Sequence, residues 1–381
     1  MLSSTLAFIF FAFISVPALL VSLPFHLKAQ NAGTTLIICW TSLGNFVEAI
    51  SAIVMLNAND VKAVGWCDFA GAIRYTWGTG CCMGGLLLLR RLAIIASKQT
   101  AFKDEREKRR VFAIEIAIGI TIPLLEILFH FIVQGHRMDE FQDFGCMAPI
   151  YPSVATIFLV MLYPIVITII SALYGILAVR SLTVRRKEFY HMLSNEDTGI
   201  SRSHYLRLMA LGLIDIILWL PLSLTFLILD LSNMKIQSYQ SWSHVHIDFN
   251  RVEFVPIDTF VHGNYSVYVA AELGRWIGPT LALNFFIFFG VKSEVWASYW
   301  SRFIKFRNIV CQWGRTKIPA QNDSDADIFD DVEDKTTPIV QSQFGTERTF
   351  TTSRNSLPNS LGNSLPDIDI EKAEHMDIYS T

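Results

Sequence analysis

Apolar residues dominate seven long blocks of this chain, near Leu2–Leu23, Thr34–Leu56, Cys67–Ala96, Val111–Val133, Val154–Val179, Leu208–Leu229 and Ser266–Val291. Blocks of about 18 or more such residues are bilayer spans, because a helix rising about 1.5 Å per residue needs that length to cross the hydrocarbon. Helices also satisfy their own backbone polar groups in lipid, which an open sheet edge cannot do. The pattern predicts an all-α integral membrane protein, a bundle of seven transmembrane helices. Prolines 123, 164, 221 and 279 fall inside blocks four to seven, as kinks that either fix packing or serve as hinges.

The polar segments between blocks carry further signals. After the sixth block, His244–Phe249 alternates as a strand does, and Val252-Glu253-Phe254 does so again after Asn250-Arg251. That pair predicts a hairpin lid over one mouth of the bundle. His244 and His246 have no further ligands nearby, so neither a metal nor a cofactor is expected. From residue 318 onward the chain is rich in Ser and Thr, repeats Asn-Ser-Leu three times, and carries 13 acidic against 4 basic residues. Such a segment buries too little apolar area to fold alone, so a disordered acidic tail is expected over 318–381. The bundle then occupies 1–300, with a basic juxtamembrane segment over 301–317.

Composition sharpens this picture. Of 381 residues, 52% are hydrophobic and 17% charged, below the share usual for a soluble domain. Outside the tail there are 27 Lys and Arg against 21 Asp and Glu. A basic membrane body with an acidic tail is not the pattern of a nucleic-acid binder. Short basic loops stay in the cytoplasm. With the N-terminus outside, the inner segments hold 21 Lys and Arg, and the outer loops only Lys62, Arg137, Lys235 and Arg251. That ratio predicts an outside N-terminus and a cytoplasmic tail. No charge precedes the first block and Lys28 follows it, which argues against a cleaved signal.

Cys67 opens the third block and Cys146 follows the fourth, both on the predicted outer side. Oxidising conditions there permit a disulfide, but sequence does not give the Cα separation that would decide it. Cys39, Cys81 and Cys82 read as packing residues. Cys311 follows an amphipathic basic stretch, 296–307, and is either an S-acylation candidate or a plain thiol. Asn264-Tyr265-Ser266 is a glycosylation sequon close to the seventh block.

Ionisable residues within spans are expensive and usually functional. Glu48, Arg74, Glu126, Glu272 and Arg275 all fall in the predicted outer half. They read either as an ion-paired cluster that fixes helix packing or as the polar floor of an outer ligand pocket, and the two readings are compatible. Arg90 and Arg91 close the third block at the inner face, as positive-inside anchors or as contacts for a cytoplasmic partner. Asp215 and Asn284 are inner-half polar groups suited to interhelical hydrogen bonds.

Several strings, in order and in topological place, resemble the lipopeptide branch of the fungal mating-pheromone receptors, the class D G-protein-coupled receptors. Leu23-Pro24-Phe25-His26 through Asn31 is similar to the family's first inner loop. Trp66-Cys67-Asp68 and Arg90-Arg91-Leu92 open and close the third helix as in the family. Gly145-Cys146 with Pro149, the stretch Trp242 to Pro256, Arg275-Trp276 and Phe288-Phe289-Gly290 complete the resemblance to mushroom-type members. Leu27 and Lys28 stand where relatives often carry Trp-x-x-Arg.

The resemblance implies a plasma-membrane receptor for a farnesylated peptide pheromone, coupled to a heterotrimeric G protein. The basic inner segments, with Arg90, Arg91, Arg185 and Arg186, would face that G protein. Membrane lipid is a second partner, and homodimerisation stays open. A retinal pump is excluded because Ser266–Val291 holds no lysine. An intramembrane hydrolase lacks its residues, since His130 is the only histidine in a span. A secondary transporter, which would show internal repeats, is the remaining alternative.

Overall fold

In the computed structural model, residues 2–98, 104–184, 202–233, 235–263 and 265–290 are described. The chain opens with α1 (Leu2–Leu20), a short α2 (Leu23–Lys28), α3 (Ala32–Val54), α4 (Val64–Lys98) and α5 (Glu105–Ile132). Strands β1 (Met138–Phe141) and β2 (Gly145–Met147) follow. Next come a short α6 (Val154–Thr156), a π-helical turn at Ile157–Met161, α7 (Leu162–Val184) and α8 (Arg202–Asn233). The described part ends with α9 (Trp242–Val245), β3 (Val252–Val255), α10 (Ile257–Gly263), α11 (Tyr265–Phe285) and a second π-helical turn at Phe286–Gly290.

Six helical stretches are long and apolar enough to cross a membrane: Leu2–Lys28, Ala32–Val54, Val64–Ser97, Glu105–Ile132, Val154–Val184 and Ser203–Asn233. The protein is thus a multi-pass membrane protein. The seventh predicted block is also helical, as α11, which packs on α1, α3 and α8. Helix α4 is the hub. Within its apolar stretch 78% is buried, against 22% in α5, so α5 turns most of its surface outward.

Close approach of α3 to α4 depends on Gly33. A Cβ there would lie 2.5 Å from the Leu88 backbone nitrogen and 2.7 Å from the Gly84 carbonyl oxygen, contacts that backbone cannot relieve. Lipid offers no hydrophobic drive between helices, so small residues that admit tight packing hold such pairs together. Pro164 has no N–H for the Val160 carbonyl and its ring crowds that position. The π-helical turn at Ile157–Met161 accommodates this break.

The motif Leu23 to Asn31 has a direct structural reason. Pro24 sits in the first turn of α2, where its missing donor does no harm. The Asn31 side chain caps α3 by accepting from the Thr34 amide. The buried His26 places Nδ1 2.9 Å from the Thr34 hydroxyl and packs edge-on against Phe285 and Phe289. One end of the bundle is thereby pinned to the end of α11. In the same region Arg90 Nη1 lies 3.1 Å from Glu115, Arg91 donates to the Gln30 carbonyl, and Tyr205 donates to the Leu92 carbonyl.

The expected hairpin lid is corrected. His244–Phe249 is not a strand but α9 followed by a turn, with the His246 ring stacked on Trp242 at 3.9 Å. Both His246 ring nitrogens face backbone carbonyls, those of Trp242 and Phe131. Alternation there reflects packing on α5, not pairing. Val252–Val255 is a strand, yet it pairs in parallel with β1, whose other edge holds β2 antiparallel. The lid is a three-stranded sheet built from two loops, in the order β2-β1-β3. Cys39, expected to pack, is exposed, whereas Cys81 and Cys82 are buried. Asp215 is buried against α4, where a Cβ on Gly85 would meet its Oδ2 at 2.3 Å, and Asn284 is half-buried.

Candidate functional site

Cys67 at the start of α4 is bonded to Cys146 of β2, with Cα atoms 5.3 Å apart. The sheet is therefore fastened over one end of the bundle. Beneath it lies a cavity of about 470 Å³. Its charged wall includes Glu48, Arg74, Glu126 and Arg275, and its apolar wall includes Met161, Leu222, Phe226 and Val267. Trp77 and Trp219 meet edge to face at 5.2 Å and close the floor.

Four of the five sequence-predicted residues thus line one space. Arg74 of α4 reaches across to Glu48 of α3 in a short ion pair with side chains 17% and 7% exposed. Glu272 is not in the lining, but it holds Arg275 one turn along α11, with Nε–Oε2 at 2.9 Å and Nη2–Oε1 at 2.7 Å. Both arginines converge on Phe144, a loop residue between β1 and β2. Their guanidinium carbons lie 4.9 Å and 5.0 Å from its ring centroid, and Arg275 also lies 4.8 Å from that of Phe8. Two cations share one aromatic face-pair, which lowers the cost of burying them.

The remaining carboxyl, Glu126 of α5, stands apart. It is 2% exposed, and its Oε2 has no hydrogen-bond partner. Asp139 of β1 reaches the cavity from the sheet, with His136 Nε2 2.7 Å from its Oδ1. Burial raises the Asp139 carboxyl above the usual aspartate value, against the lowering effect of His136 and Arg251. At the rim, Asp68 and Arg137 form a paired-donor bridge at 3.0 Å and 2.6 Å, which raises the guanidinium further.

Sequence reading missed four contributors. Asp230 lies just past the predicted end of block six, yet α8 continues to Asn233 and carries it into the cavity. Tyr75, Trp219 and Phe144 gave no signal beyond being aromatic in or near apolar runs. Among the described residues His136, Asp139 and Glu253 bring ligand atoms within 4.8 Å of one another. Those atoms are already engaged, His136 with Asp139, and Arg251 with both His136 and Glu253. Arg185, Arg186, Cys311, Asn264, the segment 301–317 and the tail 318–381 lie outside the described residues.

Comparison with known proteins places this arrangement. Residues 7–307 match the family model described as STE3, Pheromone A receptor. The chain is 31% identical over 316 residues to pheromone receptor 2 of Mycosarcoma maydis, covering 83% of this chain and 90% of that one. It is 31% identical to the pheromone B alpha 1 receptor of Schizophyllum commune over 74% of this chain, which spans 44% of that longer protein. It is 28% identical to pheromone receptor 1 of Mycosarcoma maydis, over 76% of this chain and 81% of that one.

Proposed function

The chain belongs to the STE3 pheromone A receptor family, and on that premise we propose that it is a seven-helix plasma-membrane receptor for a farnesylated peptide pheromone. Its seventh span is α11. The N-terminus and the three-stranded sheet face outward, and the acidic tail faces the cytoplasm. The distribution of Lys and Arg supports that orientation, with 21 on one side and 4 on the other. An oxidised Cys67–Cys146 pair at the sheet end supports it independently.

The observation that carries the reading is the two-faced cavity under the sheet. A peptide with a prenyl chain needs apolar surface for the chain and polar partners for the backbone and side chains. Met161, Leu222, Phe226 and Val267 supply the first, and the Arg74 and Arg275 layer supplies the second. Trp219 joins this cavity to the buried interior, because α8 also carries Asp215 and Tyr205, which pack on α4. An occupant that favours one position of α8 shifts the population of bundle states and needs no chemical step. Arg90 and Arg91, together with Arg185 and Arg186 of the next basic inner segment in the sequence, would then meet the heterotrimeric G protein. Arg90 and Arg91 are held by Glu115 and Gln30, so their placement changes when those contacts open. Acylation at Cys311 and self-association belong to the same proposal.

The test is expression in a receptor-deleted yeast pathway reporter strain, with surface delivery and G-protein compatibility confirmed. The strain is challenged with farnesylated peptides and their unprenylated twins. A prenyl-dependent response is expected. Silence across the panel, or equal responses to both twins, refutes the reading.

A further inference from the structure

The cavity wall carries more acidic groups than its own basic groups pair with. Four acids line it, Glu48, Glu126, Asp139 and Asp230, against two arginines, and Arg275 is already held by a fifth acid, Glu272. Glu48 has Arg74, and Asp139 has His136. Among the described residues, Glu126 and Asp230 form no ion pair. The two acids flank a common neighbour, since Tyr75 of α4 lies within electrostatic reach of both.

Glu126 is the sharper observation. Thr79 of α4 lies against its carboxyl, but Oε2 is enclosed and unpartnered while the residue borders the cavity. Buried polar atoms are almost always paired, so an exception beside an open cavity calls for a partner, and an occupant of the cavity would supply one. An acid within a membrane helix is retained against a high desolvation cost, which again points to use. A neutral donor would satisfy Oε2 alone. The surplus of acidic over basic groups around this one cavity favours a positive charge as well.

We infer that the occupant presents a basic nitrogen, an ammonium or guanidinium, to the wall formed by Glu126 and Asp230, while its apolar part lies against Leu222 and Phe226. This rests on the lipopeptide reading above and narrows it to a ligand with a basic group at a fixed distance from the prenyl chain.

The experiment uses the full chain in lipid nanodiscs and a series of farnesylated Gly/Ser peptides. One lysine is walked through the positions, and each peptide has an Nε-acetylated twin and an unfarnesylated twin. Binding is read by displacement of a fluorescent farnesylated peptide. At one lysine position the charged peptide should bind on the order of ten-fold tighter than its acetylated twin, the scale of one charged hydrogen bond. That preference, taken as the ratio of the two affinities within each variant, should collapse in Glu126→Gln and shrink in Asp230→Asn. Asp230 is less buried, so Asp230→Asn carries the test where Glu126→Gln does not fold. Farnesyl-dependent binding in which every charged and acetylated pair is equal overturns the inference and leaves the lipopeptide reading standing. Binding that ignores the farnesyl group in all members overturns both.

Discussion

Phe144 offers the most direct test of how two arginines are accommodated under the sheet. Its ring is 1% exposed, with Arg74 and Arg275 within 4.9 Å and 5.0 Å of its centroid. A desolvated cation–π contact contributes about 0.5–2 kcal/mol, so the pair contributes about 1–4 kcal/mol. Phe144→Leu removes both contacts along with some packing. The packing part is separated by Phe260→Leu, because Phe260 sits in the same aromatic cluster, 5.5 Å from Phe144, with Phe141 and Tyr268 as its other ring neighbours. Equilibrium unfolding in mixed micelles should then show Phe144→Leu costing about 1–4 kcal/mol more than Phe260→Leu. In an Arg74→Met background that excess should fall, since one of the two cations is gone. Equal losses for the two variants, within about 0.5 kcal/mol, would refute the argument.

Gly33→Ala should push α3 from α4 at a contact where only backbone can yield, costing about 1–3 kcal/mol in the same assay, and a wild-type result would show that the helices do not pack this closely. Cys67→Ala with Cys146→Ala opens a loop of 79 residues, for which chain entropy gives at most about 4.5 kcal/mol, less in a membrane that already restrains the ends. The melting temperature of the wild type should fall under reduction and that of the double variant should not, and equal sensitivity to reductant would refute the link. Burial raises the Asp139 carboxyl, with Glu253 adding to the rise and His136 and Arg251 opposing it. Such a group favours the fold most below the ordinary aspartate range, and its contribution is lost as pH rises through the raised value. Asp139→Asn should flatten that limb of a stability–pH profile recorded between acid and neutral pH. An unchanged profile would remove Asp139 as its cause.

Block lengths located the first six helices because lipid imposes one length and one polarity on every span. They mislaid the ends for a physical reason. Helix α5 starts at Glu105, not near Val111, with Asp104 capping the Arg106 amide and Glu105 and Glu107 in the first turn. Those are helix-start signals that an apolarity count discards. The same discarding hid Asp230, one residue beyond the apolar run. The sheet was less legible still. Parallel pairing of Met138–Phe141 with Val252–Val255 joins two loops whose register is set by the helices that deliver them. Strand alternation in either loop carries no information about that partner.

Why five charges in different spans could be read together from the sequence follows from their cost. Glu272 and Arg275 lower the hydropathy of α11, and that helix is absent from the six that are apolar enough by composition. Counting each charge in full overstates the penalty. The two lie three residues apart on one helix face and pair at 2.7 Å, and Phe8 and Phe144 take the guanidinium faces that carboxylates do not reach. Glu48 and Arg74 meet in the same way across two helices. A span tolerates charges that bring their own partners, so pairs at matching depth on different blocks point to a common layer. Glu126 breaks this rule because, among the described residues, it forms no ion pair and its Oε2 has no hydrogen-bond partner, and for that reason it is the residue from which a ligand's chemistry can be argued.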